Sequence, residues 1–236
     1  CKELQRRIVF AEGEEPAVVR AAFSFKNQGL GHPILIGREA QVERAMEQMG
    51  IQPGTLEILN ARLSDNNPVY TDMLYARLQR DGYLKRDAQR LVNQDRNVFG
   101  CCMLKNGDAD GMVTGGTRNY DVALNDSLLV LDPIPGQAII GMSMVINRGR
   151  TVFIADTSVT ELPQGEDLAN IAIEAARGVR SLGFSPRVAF LSYSTFGNPS
   201  GQWLADIRKA VGILDEEGCD FEYEGEMAPD AALNPA

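Results

Sequence analysis

Apolar positions along the chain switch between two rhythms. Short runs of β-branched and aromatic residues alternate with stretches where apolar residues recur every three or four positions. Arg7-Ile8-Val9-Phe10-Ala11 predicts a strand. Glu14 to Gln28 predicts a helix with Val18, Ala21, Ala22 and Phe25 on one face. Pro33 to Gly37 and Leu56 to Leu59 predict two more strands. A helical stretch runs from Val69 to Leu104, broken near Gly82. Gly111 to Thr114 predicts a short strand. Ala138 to Ile146 and Thr151 to Ala155 predict an apolar hairpin around Asn147-Arg148-Gly149-Arg150.

The clearest unit runs from Val152 to Ser194. Val152 to Ala155 reads as a buried strand. A helix from Gly165 to Leu182 follows, with Leu168, Ile171, Ala172, Ala175, Val179 and Leu182 at helical spacing. Glu166 and Asp167 sit at its positive end, Arg177 and Arg180 near its negative end, and Gly183 fits its C-terminal cap. Val188 to Leu191 is the returning strand. Such a βαβ crossover implies a mostly parallel sheet, and the alternation throughout implies an α/β class with helices on both faces. Pro133, Pro135 and Gly136 stop regular structure. They divide the chain into a first α/β lobe, 1–135, and a second, 136–236.

Composition changes this picture little. Apolar residues are 44% and charged residues 23%, which excludes disorder and collagen-like structure. Charge matters more: 23 Lys and Arg against 32 Asp and Glu leave −9. With no run of basic residues, nucleic acid is not an expected partner. No apolar run approaches the roughly 18–20 residues of a membrane span. The charged start is not a signal peptide, and Cys1 in place of Met suggests a fragment. Four scattered cysteines make no disulfide framework, and adjacent Cys101 and Cys102 cannot bridge each other without strain. A reduced, cytoplasmic protein is expected. One histidine, His32, excludes a two-His metal site and reads as structural. No metal ligands are assigned.

In open parallel sheets, ligands bind beyond the carboxyl ends of strands. Five loops qualify: Glu12 to Glu15, Gly37-Arg38, Gly115 to Tyr120, Asp156 to Ser158, and Ser192 to Asn198. Gly115, Gly116, Thr117, Arg118 and Asn119 offer close backbone approach, a hydroxyl, a guanidinium and an amide. Ser192, Tyr193, Ser194 and Thr195 offer hydroxyls, with a helix start expected near Ser200. Together they suit a phosphate or pyrophosphate; equally, their Ser and Thr groups can cap helices and fix turns. Neither is a Walker A or dinucleotide-binding glycine fingerprint. Glu12, Glu14 and Glu15 read as complementing a helix N-terminus, with a carboxylate pair as the alternative. Asp108 and Asp110 read as a turn, with a metal site as the alternative. Arg77, Arg80, Arg86 and Arg90 form either a solvated helix face or a contact to an anion.

Four segments carry a resemblance over nearly the whole chain. They are Arg7 to Glu15, Asp108 to Gly115, Glu166 to Ile173, and Arg187 to Thr195. In order and spacing they resemble the phosphate acetyl/butyryl-transferase family. Tyr75 to Arg80, Asn93 to Phe99, Thr117 to Tyr120, and Glu222 to Met227 with Asp230 to Leu233 are similar to the C-terminal phosphotransacetylase-like domain of hybrid bacterial NADP-dependent malic enzymes. The resemblance implies a two-lobed α/β/α fold with isocitrate/isopropylmalate dehydrogenase-like topology. It implies acetyl-CoA as an effector and a homodimer or higher homo-oligomer. It implies a malic domain in the same chain that turns malate into pyruvate with NADP and Mg or Mn. Gly115, Thr117, Arg118, Asn119, Ser192, Tyr193, Ser194, Thr195 and Arg77 are the expected ligand contacts, with no catalytic residue assigned. Active transferases carry an Arg where this chain has Asn125, followed by Asp126. An amide cannot clamp phosphate as a guanidinium does. The active family's second Arg falls near Arg77 or Arg80. The chain stops at Ala236 where the family continues, so an incomplete second lobe is expected.

Overall fold

The computed structural model describes residues 3–201 and 204–234. Cys1, Lys2, Pro235 and Ala236, on which the readings of the chain ends rest, lie outside them. Two compact units divide between Asp132 and Pro133.

The first unit is built on a parallel sheet in the order β3-β2-β1-β4. Its strands are β1 (Arg6–Phe10), β2 (Gly31–Ile36), β3 (Glu57–Leu59) and β4 (Gly111–Val113). Residues alternate between its two faces. Phe10 and Leu35 pack with Val19 and Ala22 of α1 (Pro16–Asn27) and Val42 and Met46 of α2 (Glu39–Gln48). Val9, Ile34 and Ile36 pack on the other face with Tyr70, Leu74 and Phe99. Those residues come from α3 (Asn67–Leu78) and α5 (Arg96–Asn106), with α4 (Lys85–Gln94) between. Burial on both sides explains the unbroken Ile34-Leu35-Ile36 run. The long helical stretch breaks twice: at Gly82, which is left-handed at φ +88°, and at Asp95. The Asp95 carboxylate caps α5 through the N–H groups of Asn97 and Val98. Helix α6 (Tyr120–Leu128) closes the unit.

The second unit holds an antiparallel ribbon, β5 (Met142–Asn147) with β6 (Arg150–Ala155), and a parallel pair, β7 (Arg187–Leu191) with β8 (Glu222–Met227). Helices α7 (Gly165–Ser181) and α8 (Leu204–Glu217) pack Ala169, Ala172, Ala210 and Leu214 around Phe190. A short α9 (Pro229–Leu233) ends it. The class is mixed α/β with mostly parallel pairing.

Several readings need correction. The strand at Val152 does not cross over to Val188: β6 pairs with β5, and β7 takes β8 as its parallel neighbour. The parallel crossover is therefore β7-α8-β8. Ile154 is 47% exposed, so β6 is not a buried strand. On α1, Val19 rather than Ala21 faces the core, and Leu182, just past the end of α7, is exposed. His32 is an exposed residue of β2.

Candidate functional site

The loop between β4 and α6 is ordered from within. Gly115 adopts φ +101°, a conformation side chains resist. A Cβ at Gly116 would stand 3.0 Å from the Glu12 Oε2 atom, so the carboxylate would have to give by a few tenths of an ångström. Glu12 is 2% exposed and follows β1. Its carboxylate accepts from the Gly116 N–H, the Thr117 N–H and the Thr117 hydroxyl, each at 2.7 Å. The Arg96 guanidinium donates to the same hydroxyl at 2.9 Å. Burial opposes the Glu12 charge. The Thr117 and Gly116 donors, with Arg96 nearby, outweigh it and hold the pKa below the usual carboxylate value. So Glu12 does not serve the helix behind it, as the sequence suggests; Glu14 likewise turns away and pairs with Arg38 at 2.8 Å.

Arg118 is also engaged internally. Its Nη1 donates to Asp95 Oδ2 at 2.6 Å and to Asp126 Oδ2 at 2.5 Å. The Asn97 amide donates to Asp126 at 3.0 Å and accepts from the Thr114 hydroxyl at 2.6 Å. Asn119 stands exposed at the start of α6, making no side-chain cap. Asp110 ties the start of β1, taking the Arg7 N–H and the Arg6 guanidinium, while Asp108 accepts from the Tyr70 hydroxyl. Both aspartates lie between α5 and β4 and spend their carboxylates on these distant partners.

Arg77 lies apart from that loop, on a groove of about 700 Å³ between α3 and α6. Leu78, Asp81, Tyr83, Asn125, Leu128 and Leu129 complete the lining. The Arg77 fork is directed at the protein. It donates to both oxygens of Asp132 at 2.7 Å and to the carbonyls of Leu128, Leu129 and Leu131. The Leu128 and Leu129 carbonyls lie at the end of α6, where helices leave acceptors unsatisfied. The groove thus carries one engaged guanidinium, one carboxylate and the neutral amide of Asn125. Arg80, Arg86 and Arg90 are exposed.

In the second unit, Ser192, Tyr193, Ser194 and Thr195 follow β7. Ser194 is buried, and its hydroxyl donates to Glu226 Oε1 at 3.3 Å. Glu226, also 2% exposed, takes the Gly197 N–H at 2.7 Å and the Arg208 Nε and Nη2 groups at 3.2 and 3.0 Å. The Arg208 contact, aided by Gly197, holds its pKa below the ordinary value. The Ser192 hydroxyl accepts from the Ser194 N–H, and the Thr195 hydroxyl accepts from the Ala228 N–H. Tyr193 is exposed, as is Phe196, which holds φ +46°. A cavity of about 280 Å³ lies among Phe196, Gly197, Arg208, Gly225 and Glu226. In the first unit the expected contacts divide between the Gly115–Asn119 loop and the Arg77 groove, and in the second unit they lie on the Ser192–Thr195 loop.

Sequence reasoning missed Arg96, Arg208 and Glu226. For Glu226 the alternation of Glu222, Glu224 and Glu226 misleads, because the first two are exposed on β8 while Glu226 falls at an irregularity in the β7–β8 register and is buried. Its burial demands a partner.

Fold and loops define a phosphotransacetylase-type α/β protein. The chain belongs to the phosphate acetyl/butaryl transferase family, whose pattern it matches over residues 1–236. It is 54% identical to the NADP-dependent malic enzyme of Rhizobium meliloti (strain 1021) over 97% of its own length. It spans 30% of that relative. It is 30% identical to the phosphate acetyltransferase of Thermoanaerobacterium thermosaccharolyticum, covering 99% of this chain and 73% of that one. Among solved structures, a phosphotransacetylase from Streptococcus pyogenes superposes with a TM-score of 0.87. That match has 29% identity and covers 98% of this chain and 70% of that one.

Proposed function

We propose that this domain binds acetyl-CoA as an effector and serves assembly within an NADP-dependent malic enzyme. The malic domain of that protein oxidatively decarboxylates malate to pyruvate, using NADP and Mg or Mn that lie outside this chain. The protein is cytoplasmic in this reading; among the described residues no helix is long and apolar enough to cross a membrane. One observation carries the effector reading: the groove at Asn125. It is an open groove of about 700 Å³ beside α6. Its chemistry suits an amide-bearing, partly apolar arm, because Leu78, Leu128, Leu129 and Tyr83 line it together with the Asn125 amide. It does not suit transfer to phosphate. Transfer needs unengaged positive charge where charge develops, and Arg77 is engaged while Asp81 is opposed.

Calorimetry on the intact protein tests this. Acetyl-CoA should bind saturably, and malate affinity should shift; linkage then requires malate to shift acetyl-CoA affinity by the same factor. Acetyl-CoA without effect on malate affinity or rate refutes the regulatory role. Sedimentation should give a dimer or larger; a monomer removes the assembly half. The 73% coverage of a phosphate acetyltransferase favours a second reading, an active transferase. Phosphate-dependent acetyl transfer at about 1 s⁻¹ or faster, the ordinary enzymatic range, would establish it.

A further inference from the structure

The five strand-end loops all involve a carboxylate of the chain itself. The first, at Glu12 to Glu15, supplies carboxylates, and the other four are met by a carboxylate of the chain itself. Glu14 takes the Arg38 N–H at 2.8 Å. Glu12 takes the Gly116 and Thr117 N–H groups. Asp156 takes those of Gly141, Val159 and Thr160 at 2.7, 3.1 and 2.7 Å. Glu226 takes that of Gly197. Converging backbone N–H groups form an anion-binding concavity. Such convergence is present at Gly116-Thr117 and around Asp156, where a carboxylate already fills it, while at Arg38 and Gly197 a single N–H meets one.

Glu12 and Glu226 are the most enclosed, and each has an arginine beside its hydroxyl and N–H donors: Arg96 in one unit, Arg208 in the other. A solvent anion entering either loop has to displace a buried, hydrogen-bonded carboxylate. It then leaves that carboxylate without donors, which is costly. The geometry points to Glu12 as the resident anion of the Gly115–Asn119 loop, a specificity-determining residue that closes those donors to phosphates and carboxylates from solution. Glu226 does the same for the Ser192–Gly197 loop. The donor set that reads in sequence as a phosphate cradle is thereby an internal lock. A phosphorylated ligand is left to groups outside these two loops.

Amide hydrogen exchange of residues 113–119 in the intact protein tests the assignment. In the wild type, Gly116 and Thr117 should exchange slowly. Neither sodium acetate nor inorganic phosphate, at fixed ionic strength, should change that rate. Glu12→Ala removes a group the size of acetate. It should speed exchange about tenfold or more, the scale of lost charge-assisted bonds, and added acetate should restore the slow rate saturably. Phosphate that slows wild-type exchange at these amides overturns the assignment. So does a folded Glu12→Ala protein that ignores acetate. If Glu12→Ala does not fold, Glu12→Gln decides: it keeps the volume and loses the charge. Faster loop exchange with a lower Tm supports the lock, and wild-type values for both overturn it.

Discussion

At the scale of the residue, the decisive groups are carboxylates whose partners come from distant parts of the chain. Glu12 holds its proton less tightly in the folded protein than in the unfolded chain, because Thr117 and Gly116 donate to the charged form. The unfolded state therefore binds more protons as pH falls, and stability falls with it. The contribution is complete above the ordinary glutamate range and is lost as pH drops through the lowered folded value. Asp156 and Glu226 shift in the same direction and add to the same acid limb. Thermal unfolding of wild type and Glu12→Gln from pH 7 to pH 3 should show this. The variant should be less stable at pH 7 by about 1–3 kcal/mol, and the two curves should approach each other as pH falls through and below the ordinary glutamate range. Parallel curves would assign the effect to packing alone.

At the scale of the element, α5 is the most enclosed helix of the first unit. Asn97 through Met103 are all buried, and that run includes Cys101 and Cys102. Burial pushes the two thiols up, to about 11 and about 12. A thiol reacts as its thiolate. Iodoacetamide at pH 8 should therefore leave both unmodified in the native protein and modify both after denaturation. Peptide mass mapping reads this directly, and native labelling at either position contradicts the burial. Element identity was largely legible in sequence where pattern and packing agree. Strands β1, β2 and β4 stand where their apolar runs are, and α7 runs to the left-handed Gly183. The crossover from Val152 was misread for a physical reason. An apolar run does not say whether a strand joins a parallel sheet or an exposed ribbon. The true partner of β7 carries Glu222, Glu224 and Glu226, which disguise it as surface. The loops were legible as places. Their occupants were not, since Glu12 and Thr117 lie 105 residues apart.

At the scale of the molecule, the net charge of −9 takes on a different meaning. Several acidic residues are internal acceptors that fasten strand-end loops, so the surplus is partly architectural. Each unit is fastened by its own glutamate. A chain ended at residue 220 loses β8 and Glu226 yet keeps every strand of the first unit. Hydrogen exchange on that truncation should show lost protection over 187–198 and retained protection over β1, β2 and β4; protection of both would separate the second loop from Glu226. The same long-range fastening bears on how the molecule is made. During synthesis Glu12 emerges more than a hundred residues before the N–H groups it will hold, whereas the Ser194–Gly197 loop emerges first and waits for Glu226. Neither loop can set until nearly all of its unit has left the ribosome. Each buried glutamate thus works as a closing stitch, and a loop held shut by it reports that its unit has finished folding.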